Sequence, residues 1–147
     1  MLFRSFTETV ADTRDIDALT WLRGNSAKLD IIATNRYLCP ESGSCPFDDS
    51  SMLISALSQR RVFIEGPRFV VGGRPYPDWV SRRIKESLDF VNDPTSDTLD
   101  QLIVSDVKWF YLDKTSPGVS TAAIAEMRSL ALVPFENERV IIFKLPK

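Results

Sequence analysis

The sequence predicts an α/β fold: a small, mainly parallel, three-layer sheet of the Rossmann-like kind, ending in a C-terminal antiparallel hairpin. Three observations predict it. Helix-like and strand-like segments alternate along the chain, which argues for strands joined by helical crossovers. The first strand candidates are short, β-branched and almost continuously apolar, as strands covered on both faces are. The last two, in "LVPFENERVIIFKL", flank a turn at Glu136–Glu138 that is too short for a crossover, so they must run antiparallel.

Residues 1–14 read as a lead-in and residues 15–147 as a single α/β domain. "DIDALTWLRGN" carries Ile16, Leu19 and Leu22 at helical spacing, with Asp15 as the expected N-cap and Gly24 as the stop. "LDIIAT" (29–34) is the first expected strand. "SSMLISALS" reads as a short helix capped by Ser50 or Ser51, with Leu53 facing Ala56 and Leu57. "RRVFIEG" (60–66) is the second strand, followed by a Gly- and Pro-rich loop to Pro77. "DWVSRRIKESLDFVND" is the clearest helix, capped by Asp78, with Val80, Ile84, Leu88 and Val91 as its buried stripe. A short helix follows with Leu99, Leu102 and Ile103 inward. Then come a third strand, Val107 to Asp113, and a helix capped by Ser120 or Thr121. Pro134 places the first hairpin strand at a sheet edge or a bulge.

At 147 residues, with 44% hydrophobic and 26% charged residues, the chain can bury a real core. A net charge of -2 gives no electrostatic reason to expect nucleic acid as a partner. No apolar run is long enough to span a bilayer, and "MLFRSFTETVADTRD" lacks the apolar core of a secretory signal. An extracytoplasmic location would therefore depend on a segment outside this sequence. Histidine is absent, which removes the commonest general base and metal ligand and every Ser-His or Cys-His pair. Nothing calls for a cofactor.

The two cysteines, Cys39 and Cys45, stand five residues apart in polar turn sequence. A structural zinc site needs four ligands, and Asp48 and Asp49 would be unusual partners for two thiolates. A thioredoxin-type centre wants two intervening residues. Two unrelated buried thiols sit poorly in "PESGS". A Cys39–Cys45 disulfide fits best, and it implies an oxidising compartment.

Between Arg60 and Lys85 there are seven basic residues against two acidic ones. Such a run is usually a solvated face, and otherwise a surface for anionic head groups or phosphates. The loop after the second strand matches no nucleotide fingerprint. It does lie at a strand carboxyl end, where open α/β sheets hold ligands. Asn35, Arg36, Glu65, Arg68, Arg74 and Asp113 are accordingly the candidate crevice residues. Glu65 and Asp113 could work there as an acid/base pair, although strand-end acids more often cap loops or pair with arginine. No nucleophile motif is present, and no catalytic residue is assigned.

The phrases "ALTWLRGN", "DIIATNRYLCP", "SALSQRRVFIEGP", "VSDVKWFYLDK" and "LVPFENERVIIFKL" together resemble the C-terminal soluble region of actinobacterial multi-pass membrane proteins of the glycosyltransferase-C type or a close relative. The likeness spans most of residues 15–145 and rests on structural phrases rather than catalytic signatures. It implies a non-catalytic accessory domain on the extracytoplasmic face of the cell membrane. Such a domain would be attached to a membrane-embedded parent and would contact glycan, an anionic lipid or glycan carrier, or a partner. The alternative is a free-standing small α/β enzyme or ligand-binding protein with its site at the strand carboxyl ends.

Overall fold

The computed structural model describes residues 12–36, 38, 51–72, 74–116 and 118–147. Both cysteines, and Ser50 as a helix cap, lie outside them. The described elements run α1 (Thr13–Asn25), β1 (Ile31–Thr34), α2 (Leu53–Ser58), β2 (Arg61–Val62), α3 (Pro67–Val71), α4 (Asp78–Asn92), α5 (Ser96–Val104), β3 (Val107–Asp113), α6 (Thr121–Leu130), β4 (Leu132–Glu136) and β5 (Val140–Lys144).

The five strands form one mixed sheet in the order β2-β1-β3-β5-β4. β1 pairs parallel with β2 and with β3, whereas β3–β5 and β5–β4 are antiparallel. The sheet is therefore not mainly parallel. The cause is the hairpin: β5 inserts between β3 and β4, so one reversed strand makes two antiparallel interfaces.

Strand alternation sends side chains to two cores. Phe110 and Leu112 of β3, with Ile141 and Phe143 of β5, meet α4, α5 and α6 through Phe90, Leu102 and Met127. Trp109 and Tyr111, with Val140 and Ile142, meet α1 and α2 through Leu19, Leu22 and Ile54. Both faces are covered, which explains why β3 and β5 read as nearly unbroken apolar runs. A third cluster joins Ile64, Tyr76, Val80 and Ile84 beside the start of α4.

Several local expectations shift. Asp12, not Asp15, caps α1, and Asp15 at the third helical position returns the bond in a capping box. Ile16 is exposed, and the buried stripe is Asp15, Ala18, Leu19 and Leu22. The helix runs through Gly24 to Asn25. Pro77 precedes α4, which places Asp78 in its first turn, where its charge suits the helix dipole. Met52 occupies the cap of α2 without a side-chain bond, and Ala56 and Leu57 are exposed. The expected loop from Gly66 holds the short helix α3, with Pro67 at its start and Gly72 at its end. β2 keeps only two residues. Gly66 has φ 50, and a Cβ there would meet the Met52 Sδ at 2.5 Å. Pro134 falls within β4, on the sheet edge, where the register with β5 is irregular between Leu132 and Phe135.

Candidate functional site

In this topology the chain leaves β1 toward β2 and later returns to the other side of β1 as β3. The carboxyl ends of β1 and β3 thus flank a switch point, where open α/β sheets form a ligand crevice. Asn35 and Arg36 follow β1 and Asp113 ends β3, so the fold brings these three candidates together.

They meet to bind one another. The Asn35 Nδ2 donates to the Asp113 carbonyl at 3.0 Å, and the Asp113 N–H donates to the Asn35 Oδ1 at 2.8 Å. The side-chain amide thereby stitches β1 to β3 where the backbone ladder stops. The Arg36 guanidinium pairs with Asp15 of α1 and lies 3.5 Å from the Asp113 Oδ2. Arg139, in the β4–β5 turn, donates to the same Asp113 Oδ2 at 3.3 Å and to Asp12 at 3.0 Å. Thr115 donates to the Asp113 Oδ1 through its N–H and its hydroxyl. Tyr111 donates its hydroxyl to Asp15 at 2.7 Å.

Asp15 and Asp113 are fully buried and Arg36 is 1% exposed. Burial of that depth is tolerated because each charge has an opposite partner and several hydrogen bonds. The bond from Arg14 holds the Asp12 carboxyl well below the usual range, against the opposing effect of burial. Burial pushes the Tyr111 hydroxyl far up, and the neighbouring Asp15 carboxylate adds to this, so Tyr111 stays a protonated donor. Both Asp113 oxygens are already engaged, so Asp113 itself is not presented to a substrate as an acid or base. Asp12, Asp15, Tyr111 and Arg139 were not anticipated as site residues. Asp15 had a signal, because a carboxylate within an apolar helical stripe must be paired inside.

The other candidates lie elsewhere. Glu65 accepts from the Ile54 N–H at 3.1 Å and the Ser55 N–H at 2.9 Å. It therefore caps α2 from outside, in place of the expected serine. Arg68 lies exposed on α3, and Arg74, also exposed, sits 5.6 Å from the Tyr76 ring centre. The basic segment is not one patch. Arg60 donates to the Arg23 and Ser26 carbonyls, Arg61 to that of Leu29 and Arg83 to that of Phe63. Arg82 and Lys85 pair with Glu86 and Asp89.

Burial raises the Glu65 pKa above its ordinary 4.5, although the Ser55 and Ile54 bonds work the other way. Folding thus takes up a proton between the ordinary and the raised value. Glu65 contributes stability that is complete below pH 4.5 and is lost as pH rises through the folded value. The stability difference between the wild type and Glu65→Gln, measured by urea unfolding from pH 4 to 8, is expected to move against the wild type as pH rises. A difference that moves the opposite way would show that the helix-terminal bonds outweigh desolvation.

Among the described residues no group of three or more His, Cys, Asp or Glu is arranged to hold a metal ion. No helix of the described residues is long and apolar enough to cross a membrane. No protein-family model matches the chain, and the curated proteins hold no match to it.

Proposed function

We propose that this chain is a non-catalytic accessory α/β domain of a glycosyltransferase-like membrane protein, carried on the extracytoplasmic face and attached to the membrane-embedded part of the same parent. One observation supports the non-catalytic half of this reading. The crevice between β1 and β3 is occupied by the chain's own Asp15, Arg36, Asp113 and Arg139, each paired with an opposite charge among the others. The parallel β2-β1-β3 half is the Rossmann-like part of the domain, with its ligand position turned into a structural lock. The location rests on the resemblance of the strand and turn phrases to such tails. Arg68 and Arg74 are exposed cations at the surface that would face an anionic lipid or glycan carrier.

Fractionation of cells that make the parent protein, followed by protease treatment of spheroplasts, tests the location. Residues 12–147 are expected with the membranes and open to external protease. Recovery in the cytosol would reject the reading. The purified chain is expected to turn over no polyprenyl-phosphate sugar. Turnover abolished by Asp113→Asn would restore the alternative of a strand-end active site.

A further inference from the structure

A cavity of about 220 Å³ runs along the outer edge of β2, lined by the consecutive residues 60–65 and walled by Met52 on one side and by Trp79 and Arg83 on the other. β2 is an edge strand. The Phe63 N–H donates inward to the Ile32 carbonyl at 2.8 Å, so alternation turns the N–H and C=O of Val62 away from β1. Neither has a partner among the described residues. The opposite edge is blunted by Pro134 and a register irregularity, and β2 has neither device. Two residues are too short a template for indiscriminate pairing, so any strand that docks must draw on the walls as well.

The walls specify its chemistry. Trp79 and Met52 are each 41% exposed, an apolar pair beside the outward-turned Val62 backbone groups. The Arg83 guanidinium lies 5.0 Å from the Phe63 ring centre and 5.3 Å from that of Trp79. Its one hydrogen bond among the described residues goes to the Phe63 carbonyl. Its remaining donors are held in a fixed plane, suited to a carboxylate. Arg60 and Arg61 add positive charge, while the single acid, Glu65, is spent on the α2 amides. Unpaired strand-edge groups call for an extended backbone, and the surplus of arginine calls for acidic side chains.

We propose that the edge of β2 is a docking site for an extended, acidic–apolar peptide segment of a partner protein, added as a sixth strand. The segment would exchange backbone bonds with Val62, place a carboxylate on Arg83 and lay an apolar side chain between Met52 and Trp79.

The test uses a capped octapeptide of alternating valine and glutamate, titrated against the isotope-labelled chain by amide-resolved NMR. The Val62 amide is expected to shift downfield on binding. The same peptide N-methylated at alternate amides should fail to bind, and a version with lysine for glutamate should bind at least about 10-fold more weakly, the loss of one charge-assisted bond. Arg83→Gln is expected to weaken binding about 10-fold for the same reason. Val62→Pro removes the outward N–H, along with the packing of the Val62 side chain on the α1 side of the sheet, and should abolish binding with a modest fall in the thermal midpoint. If Val62→Pro unfolds the chain, Arg83→Gln and the N-methylated peptide decide the matter alone. Equal binding of all three peptides, an unmoved Val62 amide, or a dimer formed through β2 in sedimentation without peptide would each overturn the proposal.

Discussion

Replacing Asp15 with alanine is expected to destabilise the protein by about 3–5 kcal/mol, because it leaves the Arg36 guanidinium buried without its principal counter-charge. That is a large share of the roughly 5–15 kcal/mol that holds an ordinary domain together. For a chain of this size the thermal midpoint should fall by roughly 10 °C or more. Three losses combine. The Arg36 pair is broken, the Tyr111 hydroxyl loses its acceptor, and the capping-box bond to the Asp12 N–H disappears. Asp15→Asn keeps an acceptor for Tyr111 and should cost less. Asp15→Leu combined with Arg36→Met should cost less than the sum of the two single changes, because each single change strands a charge that the double change removes. Urea unfolding of the four proteins measures the coupling. Strict additivity would show that the two side chains do not depend on each other.

Phe110→Ala carries the second large effect. The ring is fully buried in the middle of β3, on the face covered by α4, α5 and α6, and meets Phe90 edge-to-face at 5.2 Å. Truncation removes the apolar burial, the aromatic pairing and the filling of the central strand's pocket, and is expected to cost about 3–5 kcal/mol. Leu132→Ala, at a position 72% exposed on β4, should stay within about 0.5 kcal/mol of the wild type. A loss below about 1 kcal/mol for Phe110→Ala, read from the same urea curves, would mean that the layer between β3 and α4 collapses into the space.

Elements governed by local pattern were legible from the residues. The span of β3, the Ser120 cap, the stripe on α4 and the hairpin turn all follow from rules that act within a few residues. What escaped depends on partners far along the chain. β2 was expected to reach Gly66 and stops at Val62, because the Phe63 carbonyl turns to Arg83 and Glu65 turns to α2. The hairpin was visible, but nothing in its residues says that β5 rather than β4 lies next to β3. α3 was hidden because Pro67 and Gly72, which frame it, also punctuate loops. Of the candidate crevice residues, Asn35, Arg36 and Asp113 converge because they follow adjacent parallel strands. Glu65 lies beyond the end of the edge strand β2, where the chain has turned toward α2. Arg139 joins from a turn whose position depends on the whole sheet order.

The ties between the start of α1 and the hairpin turn also bear on when the domain can fold. Arg139 reaches Asp12 across 127 residues, and Asn137 donates to the Arg14 carbonyl across 123. β3 waits for β5 to cover its second edge. Contacts of such sequence separation must overcome a large loop-closure entropy before they give anything back, which slows the search. On the ribosome, the central strand stays half-paired and α1 has no turn to anchor it until the hairpin has emerged from the exit tunnel. A chain that stops just before residue 132 should therefore be open to proteolysis, and one that includes residues 132–147 should close in one cooperative step.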